Sequence, residues 1–330
     1  MNDPVRFRPK PFPAPEFPPR RPARFARTPP AVFPVILGLL GLGLALKRGL
    51  VALGIDPGLA DAALGAFTAL WAFAVFAYAA KALRRVSVVL EDLRVLPGRA
   101  GLAALSMGGM VAAVELAGFS EPMARALLAA SLALHLLFAG LLITVLRRLP
   151  PEGREVNPSW HLSFVGFIVG GLAAVPLGWQ GLALALLGLT VPVAVAIWAI
   201  SAVQLIRRIP PAPLRPLLAI HLAPASLFAS VAALAGQGWL AQGFAALAVI
   251  LLLALIFSGR WITESGFSAL WGAFTFPLAA CASALILTGW TVAGMVLLVA
   301  ALGVIPVIAW KVLTLWGSGQ LAARTNAAEA

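Results

Sequence analysis

The chain is dominated by about ten apolar segments, each close to the length that a helix needs to cross a lipid bilayer. Crossing the hydrocarbon core takes about 20 apolar residues in helical conformation. Hydrophobic residues make up 61% of the 330 residues, whereas soluble domains are about 45–50% apolar. The pattern predicts an all-α integral membrane protein, with spans at 32–53, 60–83, 100–118, 123–146, 160–178, 181–206, 214–235, 239–258, 268–288 and 291–315.

Positive charge alternates between the connections of these spans. The links after even-numbered spans are basic, whereas the links after odd-numbered spans are short and carry little charge. Of the 24 Lys and Arg residues, only Lys47, Arg48 and Arg125 fall on the weakly charged side. Because short basic loops stay in the cytoplasm, we expect a multi-pass protein with both termini cytoplasmic.

Three regions are predicted along the chain. Residues 1–30 contain ten prolines and seven Lys or Arg residues, a composition typical of a solvated or polyproline-like arm. This arm has no apolar stretch of the kind found in a cleavable signal peptide. Residues 31–316 form the ten-span domain, and 317–330 form a cytoplasmic tail. With Cys281 as its single cysteine, the chain has no internal disulfide framework.

Paired arginines close three successive even spans, at 84–85, 147–148 and 207–208, which indicates a repeated helical hairpin. Five hairpins predict a pseudo-five-fold ring with one helix of each facing a central pore. The odd spans hold most of the small and helix-breaking residues, which either leave room for a lumen or allow tight packing without a pore. Candidate pore-lining or kink positions on them are Pro34, Gly38, Ser106, Gly108, Gly170, Pro224, Phe274, Thr275 and Pro277.

The ninth span carries two aromatic residues and a proline in its apolar middle, in the order Phe274, Thr275, Phe276, Pro277. Proline lacks an amide hydrogen and clashes with the preceding turn, so the helix is predicted to bend near Phe276. Such a break is tolerated in a membrane where protein or a water-filled cavity covers the freed backbone. We interpret this span as a pore-facing helix, with the Phe276 ring at the narrowest point acting as a hydrophobic gate.

Residues suited to enzymatic or metal chemistry are sparse. His135, His161 and His221 lack metal-ligand spacing and are interpreted as structural. Glu115 is the only clear carboxylate inside a span, which disfavours a cation pathway and strong proton coupling. We expect no catalytic residues, no cofactor, no metal site and no nucleic-acid partner. An anion pathway remains possible, since helix ends, backbone amides and a basic vestibule can favour an anion.

Four segments that follow one another along the chain resemble the helix signatures of a known family. They are FPVILGL at 33–39, NPSWHLSFVGFIVGGLAAVPLG at 157–178, LAIHLAPASLF at 218–228 and LWGAFTFPLA at 270–279. They resemble the first, fifth, seventh and ninth helices of the tellurite-resistance/dicarboxylate transporter family, which includes bacterial TehA and the plant guard-cell slow anion channels. Two residues depart from its pattern: Pro34 stands where Gly is usual, and Phe167 stands at a pore position where the plant channels have Asn.

The resemblance implies ten helices in five hairpins, odd helices lining a pore in each subunit of a homotrimer, and occlusion of that pore by Phe276. It also implies small anions as partners, besides membrane lipid, and a location in the bacterial inner membrane. Our first hypothesis is therefore a passive, gated anion channel. The alternative is a secondary transporter or exporter of tellurite, sulfite or C4-dicarboxylates, which would show saturable, ion-coupled transport.

Overall fold

The computed structural model describes residues 23–330, and all regular structure in that range is helical. Most of the predicted N-terminal arm, residues 1–22, lies outside the described residues. Within 23–330, nine helices are long and apolar enough to cross a membrane. A shorter apolar helical segment, His161–Ala174, lies where the sequence predicts the fifth span. The prediction of an all-α membrane protein is confirmed.

The helices follow the ten predicted spans, and we number the spans accordingly. Their bounds are Phe33–Ala52, Gly58–Arg84, Leu96–Leu116, Glu121–Arg148, His161–Ala174, Gln180–Arg207, Ala212–Leu234, Gly238–Phe257, Ala269–Leu287 and Thr291–Gly317. Within residues 23–330, three short α-helices lie outside the spans, at Ser87–Arg94, Gly259–Ile262 and Gln320–Arg324, and two 3-10 helices do so at Pro30–Val32 and Pro151–Arg154.

Irregular helix is concentrated in the fifth and seventh spans. The fifth span starts as a π-helical turn at His161–Val165, continues as a 3-10 turn at Gly166–Ile168 and becomes α-helical only over Val169–Ala174. The seventh span opens as a 3-10 helix over Ala212–His221 before its α-helix begins at Leu222. Because the fifth span is broken into three pieces, its longest regular helix falls short of a bilayer-spanning length.

The ninth span remains helical through its proline. Its α-helix runs from Gly272 to Leu287 with Pro277 inside it, so no interruption of the helix marks the bend predicted at Phe276. Pro277 lies in the second turn, so its missing amide hydrogen removes one hydrogen bond near the start of the helix. A 3-10 turn at Ala269–Trp271 already precedes that point. The helix therefore accommodates the proline without ending.

The odd spans form an inner layer and the even spans an outer layer. In the most apolar 18-residue stretch of the first, third, seventh and ninth spans, 72–89% of residues are buried, against 17–39% in the even spans. Each odd span packs against the even span that follows it. Contacts between odd spans run from first to third, third to fifth, fifth to seventh, seventh to ninth, and ninth back to first.

A buried ion pair binds both described ends of the chain to the arginine-rich face of the bundle, the face where three even spans end in paired arginines. The side chains of Lys81 and Asp92 are both 0% exposed, and Lys81 Nζ lies 2.9 Å from Asp92 Oδ2. Lys81 also donates to the carbonyl of Thr28, at 3.1 Å. Asp92 accepts further hydrogen bonds from the Tyr78 hydroxyl, at 2.9 Å, and from the Ala328 amide, at 2.8 Å. These bonds compensate the cost of burying both charges.

Candidate functional site

Two small cavities follow one another between the inner helices, and each is lined by all five odd spans. The first, of about 30 Å³, is lined by Ala31, Pro34, Pro97, Ala100, Leu162, Leu217, Ile220, Ala269, Leu270 and Ala273. The second, of about 20 Å³, is lined by Pro34, Leu37, Ala104, Leu162, Ile220, Ala223, Gly272, Ala273, Phe276 and Pro277.

The second cavity lies further toward the C-terminal ends of the odd spans. On the first span the lining moves from Ala31 to Leu37, and on the ninth from Ala269 to Pro277. A water molecule needs roughly 10–15 Å³ of such space, so each cavity has room for one or two waters. All of the lining side chains are apolar, so both cavities are narrow and hydrophobic.

Phe276 bounds the second cavity and is only 4% exposed. Its ring packs against the first span at Gly41, where an added Cβ would lie 2.9 Å from the Cδ2 atom of the ring. The preceding residue, Thr275, is fully buried, and its hydroxyl lies 2.8 Å from the carbonyl of Gly272 and 3.2 Å from that of Pro34. The ninth span is thus held closely against the first, and the absence of a side chain at Gly41 makes room for the ring.

Two of the predicted glycines face the outer layer and not the cavities. A Cβ on Gly108 would lie 2.6 Å from the indole of Trp71 in the second span. That indole also donates a hydrogen bond of 2.9 Å to the carbonyl of Leu105. A Cβ on Gly170 would lie 3.0 Å from Leu132 in the fourth span. Gly108 and Gly170 therefore permit close packing between the two layers.

Ser106 and Phe167 both contact His135, which belongs to the fourth span and is 1% exposed. The Ser106 hydroxyl lies 2.8 Å from His135 Nδ1. The Phe167 ring meets the His135 ring edge to face, with centroids 4.4 Å apart. The structure therefore places these two candidates at a junction of the third, fourth and fifth spans, outside both cavities.

Of the remaining candidates, two line the cavities and the others lie elsewhere. Pro34 lines both cavities and Pro277 lines the second. Pro224 is buried in the seventh span but lines neither cavity. Phe274, two residues from Phe276, lines a separate groove of about 260 Å³ formed by the seventh to tenth spans. Gly38 contacts Thr275, so it serves the packing of the first span against the ninth.

A histidine pair between the fifth and seventh spans is not apparent from the sequence. His161 Nε2 lies 2.9 Å from His221 Nδ1, so one ring donates to the other. The Trp198 indole donates to the carbonyl of His221 at 3.2 Å. Within residues 23–330 no group of three or more potential metal ligands occurs. A separation of 60 residues carries no motif. The signal available was that both histidines lie in the N-terminal half of an odd span, His161 at the start of the fifth and His221 just before the α-helix of the seventh.

Arg48, on the weakly charged side of the spans, is a second residue whose partner the sequence does not indicate. This half-buried side chain donates a hydrogen bond to the Ser283 hydroxyl, joining the first and ninth spans. Arg48 and Ser283 each follow the contacting pair Gly41 and Phe276 by seven residues. Seven residues are about two helical turns, or roughly 10 Å. The guanidinium therefore lies beyond the ring of Phe276, on the side opposite the two cavities.

The neighbouring cation, Lys47, forms ion pairs with two carboxylates. Its Nζ lies 2.7 Å from Asp61 and 3.3 Å from Glu115. Arg48 has no carboxylate partner within residues 23–330. Of these two adjacent cations, Arg48 is thus the one whose charge remains available to an anion.

Comparison with known proteins agrees with this arrangement. A search of curated proteins found no match. The sequence profile of the SLAC1 family, described as voltage-dependent anion channels, matches residues 27–316. This range contains nearly all of the ten spans and confirms the family indicated by the four helix signatures. The chain belongs to the SLAC1 family of voltage-dependent anion channels.

Proposed function

We propose that the protein is a gated anion channel of the bacterial inner membrane, with odd spans lining the pathway and Phe276 closing it. Family membership and the nine long apolar helices within residues 23–330 support anion transport across a membrane. The observation that carries the gate is the position of Phe276. Its side chain ends a narrow apolar cavity to which every odd span contributes.

The described conformation corresponds to a closed state in this proposal. An ion that enters an apolar passage must give up hydration, and the effective penalty in proteins is several kcal/mol per ion. Cavities of about 30 and 20 Å³ leave no room for a hydrated anion. Hydrophobic constrictions of this kind block ions by excluding water, without any charged barrier.

Beyond the ring, Arg48 supplies the positive charge that an anion needs. Its guanidinium has donors to spare, since a guanidinium carries five N–H groups and, among residues 23–330, it forms a side-chain hydrogen bond only with Ser283. On the other side, the basic connections form a vestibule of the same sign. The pathway would thus run from one positive region to another, with the apolar ring of Phe276 between them.

Topology and assembly complete the proposal. The strong excess of Lys and Arg on one side favours cytoplasmic termini, with residues 31–316 as the transmembrane domain between an N-terminal arm and a C-terminal tail. A homotrimer, with one pathway in each subunit, follows from the family resemblance.

The gate can be tested by anion flux into proteoliposomes, measured for chloride, nitrate, sulfite and succinate. We expect Phe276→Ala to raise the flux of at least one anion about tenfold or more, which corresponds to a barrier lowered by about 1.4 kcal/mol. Phe274→Ala is the matched control, because its ring lies on the same helix but faces the groove between the seventh and tenth spans. We expect it to leave flux unchanged.

Two results would contradict the gated channel. Equal flux in Phe276→Ala and wild type would show that Phe276 does not close the pathway. Saturable wild-type flux that depends on an ion gradient and disappears in Phe276→Ala would indicate the secondary transporter, with Phe276 in its binding site.

A further inference from the structure

The largest of the cavities described above and here lies on the arginine-rich face, away from Phe276. It has a volume of about 510 Å³ and opens between the third, sixth and seventh spans and the link that precedes the fifth span. Such a volume is typical of a small-molecule site. Its charged lining consists of four arginines and two glutamates, at Arg94, Arg99, Arg207, Arg208, Glu152 and Glu155.

One of the four arginines is buried and hydrogen-bonded to backbone carbonyls, whereas the other three are exposed and form no ion pair among the described residues. Arg99 is 6% exposed, and its guanidinium donates to the carbonyls of Leu93 at 2.9 Å, Arg94 at 3.0 Å and Gly153 at 3.4 Å. The side chains of Arg94, Arg207 and Arg208 are exposed and form no ion pair within residues 23–330. Three cations therefore border the cavity without an ion-pair partner among the described residues, and the lining keeps an excess of two positive charges after its two glutamates are counted.

A buried hydroxyl in the same wall lacks a partner. Ser201 lines the cavity and is only 5% exposed, and its Oγ has no hydrogen-bond partner among the residues that the structure describes. The large majority of buried polar side-chain atoms are hydrogen-bonded. An unpartnered hydroxyl beside three free arginines indicates a site for a ligand with acceptor oxygens.

Another part of the cavity wall is aliphatic and open. Leu205 and Leu214 line it and are 40% and 41% exposed. Ile206 and Ile209, next to Leu205 in the chain, are 86% and 70% exposed. A ligand that binds both the arginines and the aliphatic part of the wall carries an anionic oxygen-rich group at one end and a hydrocarbon chain at the other.

We propose that this cavity binds an anionic phospholipid of the leaflet that borders the arginine-rich face. The phosphate lies against Arg207, Arg208 and Arg94, and an acyl chain follows Leu205 and Leu214. Basic pockets between transmembrane helices are suited to such headgroups. The site lies apart from the gate, so it does not depend on the role proposed for Phe276.

Charge argues against two other occupants. Residues 1–22 of the same chain carry five Lys or Arg residues against two acidic ones, so this segment would bring like charge to the arginines. A second copy of the chain would present the same basic face. A free phosphate shares the chemistry of the headgroup but leaves the aliphatic wall bare.

The test is lipid binding to the full-length protein, measured by native mass spectrometry with phosphatidylglycerol and with phosphatidylcholine. We expect the double variant Arg207→Gln/Arg208→Gln to bind phosphatidylglycerol about thirtyfold more weakly, since each arginine near the surface contributes roughly fivefold. Arg147→Gln/Arg148→Gln is the matched control, because it removes the same pair from the end of the fourth span, outside the cavity.

Ser201→Ala provides an independent variant that leaves the surface charge unchanged, and we expect it to weaken phosphatidylglycerol binding several-fold. Equal losses in both arginine pairs would show nonspecific attraction to a basic surface and overturn the site. Unchanged binding in Arg207→Gln/Arg208→Gln would do the same. Displacement of phosphatidylglycerol by millimolar inorganic phosphate would assign the site to a free anion and overturn the proposal that its ligand is a lipid.

Discussion

Replacing Gly38 by alanine tests the close contact that positions Phe276, the proposed gate, against the first span. A Cβ on Gly38 would overlap both the Oγ1 and the Cβ atoms of Thr275 and lie 3.2 Å from the backbone nitrogen of Phe276. Nonbonded heavy atoms prefer about 3.5–4.0 Å. Rotation of the Thr275 side chain cannot relieve the overlap, because its Cβ is itself involved. The first and ninth spans must therefore separate by about 1 Å.

The size of the effect follows from three contributions. Overpacking a well-packed interior costs about 1–3 kcal/mol. Moving Thr275 away from the Pro34 carbonyl removes a hydrogen bond of about 1 kcal/mol. The better helix propensity of alanine returns about 0.5–1 kcal/mol. We expect Gly38→Ala to lower the free energy of unfolding by about 2–3 kcal/mol, and to raise anion leak because the displaced segment carries Phe276.

The assay is unfolding in mixed micelles titrated with sodium dodecyl sulfate, combined with anion flux. Gly65→Ala in the second span is the matched control, because nothing lies within 4 Å of its added Cβ. We expect this control to be neutral or slightly stabilising. The double variant Gly38→Ala/Thr275→Gly should be no less stable than Thr275→Gly alone. The reasoning is refuted if Gly38→Ala is as stable as Gly65→Ala.

Two further predictions concern charged residues. Lys81→Met should lower the free energy of unfolding by about 3–5 kcal/mol, because it leaves the carboxylate of Asp92 buried without its counter-charge; a loss below about 1 kcal/mol in the same micelle titration would contradict this. In a Phe276→Ala background, Arg48→Gln should reduce anion flux several-fold, whereas Arg125→Gln, which removes a cation from the same side, should not. Equal flux in these two variants would show that Arg48 lies outside the pathway.

A small part of the candidate site could be predicted from residue types and their order. The sequence singles out Phe276 because an aromatic residue beside a proline inside an apolar span is unusual, and Pro34 and Pro277 also line the cavities. The helix at Pro277 could not be predicted in the same way. A proline near the start of a helix removes one hydrogen bond without ending it, and the start of a helix is set by its neighbours.

The glycines show where prediction from composition ends. A small residue permits either a lumen or a close helix contact, and the sequence does not distinguish them. In the folded protein, Gly38 faces Thr275, Gly108 faces Trp71 and Gly170 faces the fourth span. Which side of a helix meets a neighbour depends on how the helices rotate and tilt when they pack, and no single segment contains that information.

Hydrophobic length, the placement of Lys and Arg and the four helix signatures by themselves determined the membrane class, the number of spans and the family. These are properties of local segments and of their order, so they can be predicted without the folded structure. Only the tertiary structure joined His161 to His221, Ser106 to His135 and Arg48 to Ser283. These partners lie 29 to 235 residues apart, and it is packing between spans that brings such distant side chains within hydrogen-bonding distance.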